Sequence, residues 1–535
     1  MKDRVSLTDF LMYHKETHPI SFHMPGHKGR STLYGIYGFG DFIKNVVGND
    51  ITEIPGADAL QQPREQIKDI MEGYAGLYGA KHTELLVNGS SAGLMASILG
   101  SVPRGGKLLM GRNSHKSVYG ALRLGGIDPV YIMPEIDDET GLQLGLDPNK
   151  IEAALIEDPD IKAVLVTSPN YYGVLSDIER IANIVHLHGR ILIVDQAHGA
   201  HLKFFDYLRS EDGLPHRAAE NCGADIVVDS THKTLLSFTG SAILNICTER
   251  PDVSRISELL RMLQTTSPSY LLMGSLDINQ QILRMDGYNL IKNWDADIKY
   301  FYEEAAQIAG LGLIDRIDLD ETKVSITMSA LGLSGPELAE ELEKRNIWVE
   351  LTHGDYVMLM TGLGNERGDY EDILTALRDL SAHHGGRIQG VEPESSASKT
   401  ESAAQNASQN QAKNEAQAMA KNEAQAANKN ASQAVDKNAE LRTPSSDSAL
   451  IERLEQRKIP DTYEEVPLYS AEGRVLYESI IPYPPGTPIA CPGEVLSKSV
   501  ILYVRDQLVA QHVVLGVDEE GQVKVESDCV LFKEI

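Results

Sequence analysis

ADIVVDSTHKTLLSFTG, residues 224–240, predicts a short buried strand followed by a polar turn and a lysine. The apolar run 226–228 is assigned to the strand, because consecutive β-branched residues favour an extended backbone. The turn places Lys233 beside several hydroxyl side chains. Burial at the end of a strand disfavours the charged ammonium, so a lysine there can lose its proton and react. Taken alone, Lys233 is more readily explained as an ordinary surface lysine, so a catalytic role depends on the residues predicted to lie around it.

The chain on both sides of this stretch repeats a pattern of strand, turn and helix. Short apolar runs separated by helix-like segments are typical of a parallel sheet that is covered on both faces. These runs are 85–87, 107–110, 130–133, 163–166, 191–194, 226–228 and 242–244. They predict an α/β domain with a central, mostly parallel sheet, whose ligands bind at the carboxyl ends of the strands.

Composition narrows the class of protein. The 535 residues suffice for two or three domains, and 49 basic against 77 acidic side chains leave a formal charge of −28. So acidic a chain argues against nucleic acid or an anionic membrane as the main partner. The four cysteines, Cys222, Cys247, Cys491 and Cys529, form no C-x-x-C pair, so neither a disulfide framework nor a zinc site is expected. Without an apolar run of signal-peptide or membrane-span length, we expect a soluble, cytoplasmic protein.

Several predicted strands end in groups that are suited to a ligand. After 85–87, Ser90 and Ser91 open a helix whose exposed amide groups would bind a phosphate, although serines there equally well only cap the helix. After 107–110, His115 is either a packed polar side chain or a ring on which a ligand ring stacks. The turn 167–173 is rich in groups that approach ligands closely.

The run 191–194 ends in Asp195, and a buried carboxylate is costly unless it meets a positive charge. A structural ion pair is one explanation for it. Together with Lys233 and the phosphate site, however, Asp195 matches the needs of pyridoxal 5′-phosphate. This cofactor requires a lysine that forms an imine, a carboxylate for the pyridinium nitrogen and an anion site. The combination is far more specific than any of its members.

The polar turns also resemble a known family. In chain order, HMPGHKG, DITEIPGAD, VNGSSAG, RNSHKS, TSPNYYGV, VDQAHGAH and DSTHKTL are similar to segments of the Orn/Lys/Arg decarboxylase major-domain family of fold-type I enzymes. The likeness covers about residues 23–277 and resumes at 482–488 and 491–494, which resemble the family's C-terminal motif. It implies a large domain of the aspartate aminotransferase fold (PLP-dependent transferase-like), a smaller α/β domain and a C-terminal α+β domain.

The resemblance also assigns roles to individual residues. Lys233 would carry pyridoxal 5′-phosphate, Asp195 would pair with the ring nitrogen, and His115 would stack on the ring. The phosphate would be held by three serines: Ser90, Ser91 and Ser230. His232 would lie next to the lysine.

Three further residues complete the set of candidates. Thr266 lies in a loop that, in this family, reaches the phosphate of the neighbouring subunit, which implies a homodimer with shared active sites. His198 stands where some relatives place an aromatic residue, so its role among the cofactor-binding residues stays open. Glu494 either binds the distal cation of a basic substrate or is a structural hydrogen-bond acceptor.

We expect five segments: an N-terminal segment 1–30, the large domain 31–277, a small α/β domain 278–384, a linker 385–448 and a C-terminal domain 449–535. In the small domain, strands are predicted at 324–328, 347–351 and 356–360, with a helix beginning after Ser334. The linker has an eight-residue period and almost no large apolar residue, so its composition favours disorder. In the last segment, strands are predicted at 500–504 and 512–515.

The activity that the resemblance implies is the decarboxylation of a basic amino acid by this lyase, with Lys233 or a histidine returning a proton to Cα. Arginine, giving agmatine and carbon dioxide for polyamine biosynthesis, is the first choice because the chain looks like the family's shorter members. Lysine and ornithine are the alternatives, since no single residue in the sequence distinguishes the length or head group of these side chains. An aminotransferase or a non-catalytic binding protein on the same fold is less favoured.

Overall fold

The computed structural model describes residues 6–388, 454–457, 459–460, 462–483, 486–509 and 513–527. The predicted linker therefore lies outside the described residues, apart from 385–388, which belong to a helix. Cys529 and the two central prolines of the 482–488 motif also lie outside them. The five segment boundaries stay predictions.

The N-terminal segment joins parts of the chain that are far apart. Its strand β1 (Ile20–Phe22) pairs in parallel with residues 347–349. The segment contains the helix α1 (Leu7–Glu16), and three short helices follow it: α2 (Ser31–Ile36), α3 (Gly40–Lys44) and α4 (Val46–Asn49). No residue of α1 is buried, and its apolar side chains Leu7, Phe10, Leu11, Met12 and Tyr13 are exposed.

Seven strands form the large sheet. They are β2 (His82–Leu86), β3 (Lys107–Gly111), β4 (Asp128–Ile132), β5 (Ile161–Thr167), β6 (Ile191–Asp195), β7 (Ile226–Asp229) and β8 (Ala242–Ile246). Their order is β2-β8-β7-β6-β5-β3-β4, and β8 runs in the direction opposite to that of the other six strands. The predicted mostly parallel sheet is confirmed. Its central strands are mostly apolar because both faces of the sheet are buried: Leu108 and Met110 pack in one core, and Leu109 packs in the other.

Helices cover both faces of this sheet. They are α5 (Gln66–Tyr78), α6 (Gly89–Ser101), α7 (Lys116–Gly125), α8 (Pro148–Glu157), α9 (Ile178–Leu187), α10 (Leu202–Glu211), α11 (Thr231–Thr234) and α12 (Val253–Leu263). Because the strand-to-helix connections emerge at the carboxyl ends of the parallel strands, the polar turns singled out above collect at one edge of the sheet.

A 36-residue helix, α13 (Tyr270–Ala305), leads from the large sheet to a smaller antiparallel one and departs from helical backbone angles at Asp286. The small sheet contains β9 (Gly312–Leu313), β10 (Lys323–Thr327), β12 (Leu351–His353) and β13 (Tyr356–Met360) in the order β12-β13-β10-β9, and β11 (Ile347–Val349) pairs with β1 instead. Helices α14 (Gly335–Glu343) and α15 (Arg367–Ile388) belong to this unit. Helix α14 begins at a capping box between Ser334 and Glu337. The predicted strand 347–351 is divided at Glu350.

The C-terminal part contains β14 (Tyr463–Pro467), β15 (Ile481–Tyr483), α16 (Lys498–Val509), β16 (Val513–Leu515) and β17 (Gln522–Glu526). The prediction of a strand at 500–504 is wrong, because these residues lie in α16. Val500, Ile501 and Val504 are buried, a spacing that one face of a helix satisfies. The strand predicted at 512–515 is confirmed over 513–515.

Candidate active site

A cavity of about 460 Å³ opens at the carboxyl ends of the large sheet. It brings together eight of the ten candidate residues: Ser90, Ser91, His115, Asp195, His198, Ser230, His232 and Lys233. These residues lie at or just after the ends of four strands, β2, β3, β6 and β7. Because those ends share one edge of the sheet, residues that are far apart in the sequence meet in one place. Thr266 and Glu494 do not line this cavity.

Lys233 lies in the four-residue helix α11, which directly follows β7. Its Nζ is 2.8 Å from Nε2 of His198. Burial lowers the pKa of Lys233 from 10.5 to about 8, although the negative charges of Asp195 and Glu350 oppose that shift. The amine can therefore lose its proton near neutral pH, which a nucleophilic lysine requires.

Asp195 ends β6 and is 3% exposed. Its Oδ1 accepts the backbone N–H of Ala197 at 3.2 Å, and no ion pair to it is formed by the described residues. Burial raises the pKa of Asp195, and the positive charge of Lys233 opposes the rise. The structural ion pair is thus not formed among the described residues. The buried Asp195 carboxylate lines the cavity, where a cationic group of a ligand could pair with it.

The histidines of the cavity are held neutral. Burial, and then the charge of Lys233, lower the pKa of His115 to about 3. Its Nδ1 accepts the N–H of Ser117 at 3.2 Å and so caps α7, which fixes the plane of the ring. Burial lowers the pKa of His232 to about 4, and its Nδ1 donates to the carbonyl of Ser241 at 2.6 Å.

His198 is fixed from behind by a buried ion pair. Lys323 of β10 donates to the His198 carbonyl at 2.9 Å and to Oδ2 of Asp320 at 2.7 Å. The pKa of His198 lies well below 6.5 because of burial and the nearby Lys233. Its ring also lies 4.8 Å from that of Tyr171, edge to face. The small sheet thereby sets the orientation of a side chain that contacts Lys233.

Three buried polar atoms on the cavity wall lack a hydrogen-bond partner among the described residues: Ser230 Oγ, Thr167 Oγ1 and His198 Nδ1. An unpaired buried hydroxyl costs free energy, so such atoms indicate where a ligand's polar groups bind. Ser230 faces the same space as Ser90 and Ser91 in the first turn of α6. That turn begins at Gly89, whose φ of 72° favours glycine. These residues fit a phosphate.

The HMPGHKG motif packs beneath the lysine. The N–H of Gly26 donates to the His232 carbonyl at 2.8 Å, and a Cβ at position 26 would collide with the backbone of Leu235. Met24 and Pro25 line the cavity. The motif therefore supports the backbone around Lys233 and forms part of the cavity wall, a role that the sequence alone did not reveal.

Glu494 is bound elsewhere. Its Oε2 accepts from Nη2 of Arg112 at 2.8 Å and from the N–H of Cys491 at 2.7 Å, and both charged side chains are buried. Burial raises the pKa of Glu494, and the charge of Arg112 opposes the rise. This geometry favours the structural alternative over a substrate contact.

Thr266 is exposed, and its loop lies beside the start of α6, where the N–H of Thr265 donates to Oδ1 of Asn88 at 3.3 Å. The cavity wall also includes Asn113, Thr167, Thr239 and Thr487, which lie in segments assigned to the site from the sequence, and Glu350, which does not. Of these, Glu350 left one signal, a charge within the apolar run IWVEL.

Comparison with known proteins places the geometry in a family. The model described as Orn/Lys/Arg decarboxylase, major domain, matches residues 5–311, and that of the family's C-terminal domain matches residues 444–520. The chain belongs to the Orn/Lys/Arg decarboxylase family. This confirms the resemblance of the polar turns and identifies the protein as a decarboxylase.

Relatives of this decarboxylase extend over almost its whole length. It is 29% identical over 527 residues to "Arginine decarboxylase" of Bacillus anthracis, covering 95% of this chain and 94% of that one. It is 30% identical over 519 residues to "Arginine decarboxylase" of Bacillus subtilis (strain 168), with 95% and 94% covered. The solved "Lysine decarboxylase A from Pseudomonas aeruginosa" superposes with a TM-score of 0.68 at 20% identity, covering 97% and 80%. The predicted fold class, a fold-type I large domain with an additional smaller α/β unit, is confirmed.

The helices that the structure describes in this decarboxylase are each too short or too polar to cross a lipid bilayer.

Proposed function

We propose that this decarboxylase converts arginine to agmatine and carbon dioxide with pyridoxal 5′-phosphate, as a step of polyamine biosynthesis in the cytoplasm. The observation that supports the cofactor is that a lysine of lowered pKa and a buried carboxylate, which forms no ion pair within the described part of the chain, line one cavity. The preference for arginine rests on the two Bacillus relatives, which match nearly the whole chain.

The cavity residues fit the cofactor. Ser90, Ser91 and Ser230 would bind the phosphate, Asp195 the ring nitrogen, and His115 the face of the ring. Pyridoxal 5′-phosphate, when bound, supplies an aldehyde that combines with amines and a pyridinium ring that accepts the electron pair left by carbon dioxide. Asp195 would keep the ring nitrogen protonated, because a nearby negative charge favours the charged form of that nitrogen.

Lys233 is the group that we propose returns a proton to Cα. Its pKa of about 8 lets Nζ give up and regain a proton near neutral pH, as a general acid and base must. His198 would hold Nζ in place, since its Nε2 is 2.8 Å away. His232 is the second candidate for the proton transfer, but burial lowers its pKa to about 4, so it is less readily a source of protons at neutral pH.

We also propose a homodimer in which Thr266 of each subunit reaches the phosphate of the other. Thr266 is exposed and its loop adjoins α6. The apolar side chains of α1 and the exposed Val47 in α4 offer further surface for the contact. Sedimentation equilibrium of the holoenzyme measures the subunit number.

Turnover separates this function from its rivals. The holoenzyme would be incubated with arginine, lysine and ornithine in turn, and the amine and carbon dioxide measured. Agmatine and carbon dioxide in equal amounts support the proposal, and faster release from lysine or ornithine would reassign the substrate. A keto acid without carbon dioxide would indicate an aminotransferase, which needs an arginine for the substrate carboxylate; none is present among the described residues of the cavity wall.

A further inference from the structure

We propose that Glu350 binds the distal cation of the basic amino acid. The inference rests on the proposed function, because it concerns how the same cavity recognises its substrate.

The cavity wall carries two carboxylates among the described residues, Asp195 and Glu350. Asp195 lies at the floor, where β6 ends, and is nearly inaccessible. Glu350 is partly exposed and comes from the small-sheet side. Glu350 and Lys233 line the same cavity, so the two groups face a common space. A substrate held at Lys233 therefore has one accessible negative side chain within the same cavity.

The Glu350 carboxylate is held in a fixed orientation by two other segments. Its Oε1 accepts from the Tyr171 hydroxyl at 2.8 Å, and its Oε2 accepts from the N–H of Met24 at 2.9 Å. A carboxylate offers about four acceptor positions, so two remain for a ligand. A guanidinium presents paired N–H groups that match a carboxylate, and an ammonium offers three donors.

The backbone explains why the side chain is presented to the cavity. The chain changes sheet at Glu350: β11 before it pairs with β1, and β12 after it pairs with β13. Its own N–H donates to the Met358 carbonyl at 3.1 Å, which fixes the residue between the two strands. The other candidate for the cation, Glu494, is already paired with Arg112.

Glu350 could instead serve only as a clamp that joins Tyr171 and Met24. A clamp would affect every substrate alike, whereas a cation site distinguishes charged from neutral side chains. Citrulline makes this distinction measurable, because its ureido group has nearly the shape of a guanidinium without the charge.

The test compares kcat/KM for arginine and citrulline in the wild-type holoenzyme and in Glu350→Gln. We expect the arginine-to-citrulline ratio to fall about 10- to 100-fold in Glu350→Gln, the range for loss of a charged hydrogen bond. Glu350→Asp, which keeps the charge, should retain most of the ratio. Glu343→Gln removes an exposed carboxylate of α14 and is the control for net charge. Cofactor absorbance verifies that each variant binds pyridoxal 5′-phosphate.

If lysine or ornithine is the preferred substrate, norleucine or norvaline replaces citrulline as the neutral partner. An unchanged ratio in Glu350→Gln, with active wild-type enzyme, would overturn the cation site and leave the proposed function standing. A wild-type holoenzyme that releases carbon dioxide from none of the three basic amino acids would overturn the proposed function, and the cation site with it.

Discussion

Lys233 Nζ and His198 Nε2 lie 2.8 Å apart, although the two residues come from different strand ends of the large sheet. If the protonated lysine donates to Nε2, Nδ1 of His198 carries the ring's hydrogen atom; this buried Nδ1 has no hydrogen-bond partner among the residues that the structure describes. Lys323 and Asp320 secure the His198 backbone from the small sheet. The reactive amine is therefore positioned by both sheets, and its chemistry depends on how they pack.

Replacement of the lysine tests the central assignment. In Lys233→Ala we expect the visible absorbance of the bound cofactor to disappear and turnover to fall by at least about 1000-fold, because the amine that binds the cofactor and carries the proton is gone. Absorbance spectra and carbon dioxide release measure the two effects. Lys292→Ala, at an exposed position of α13, should leave both unchanged. Full turnover of Lys233→Ala would refute the assignment.

The lowered pKa of Lys233 predicts a pH dependence in the apoprotein. Below about pH 8 the amine is protonated and unreactive, and above it the free amine predominates, so reactivity rises with pH through that value. Reductive methylation at a series of pH values, followed by peptide mass spectrometry, measures the rate at each lysine. Exposed lysines should reach half of their maximal rate near the ordinary pKa of about 10.4. A Lys233 profile that coincides with theirs would contradict the assigned environment.

The buried pair behind His198 predicts a large effect on stability. Burial alone would raise the pKa of Asp320, but His201 and Lys323 hold it well below its ordinary value. In Lys323→Met the carboxylate loses a partner and the His198 carbonyl loses a donor. We expect the free energy of unfolding to fall by about 3–5 kcal/mol, measured by urea denaturation. Lys344→Met, in an exposed ion pair, is the control and should change it far less.

The stability contribution of Asp320 should also depend on pH. A carboxyl group with a lowered folded-state pKa stabilises the protein above its unfolded value, about 3.9, and loses that contribution as the pH falls below it. Asp320→Asn should therefore be destabilised at pH 7 relative to the wild type, and the difference should shrink in acid. A difference that does not vary with pH would contradict the ion pair.

The pairing of Arg112 with Glu494 predicts a structural role for both. Glu494→Gln should lower the free energy of unfolding by about 2–3 kcal/mol, because a buried charge on Arg112 loses its partner. The arginine-to-citrulline ratio of kcat/KM should stay at the wild-type value. Denaturation and steady-state kinetics of the same preparation provide both measurements. A selective loss of arginine turnover in Glu494→Gln would instead indicate that Glu494 contacts the substrate.

Local patterns in the sequence were sufficient for the large sheet and most of the cavity. Apolar runs of strand length, each followed by a polar turn, specify parallel strands whose carboxyl ends share one edge, so Lys233, Asp195 and His115 could be expected to meet. The same reasoning failed at 500–504, where a β-branched run belongs to α16. A short apolar run fits either structure, and packing against the C-terminal core selects the helix.

The sequence by itself determined the fold class, the family and the group of residues at the strand ends, because each depends on neighbours within a few positions. Only the tertiary structure decided the partners of Glu350 and Glu494. Arg112 and Glu494 are 382 positions apart, and Met24 and Glu350 are 326 apart. Such contacts arise when distant surfaces are buried against each other, and no periodicity or spacing along the chain records which surfaces will meet.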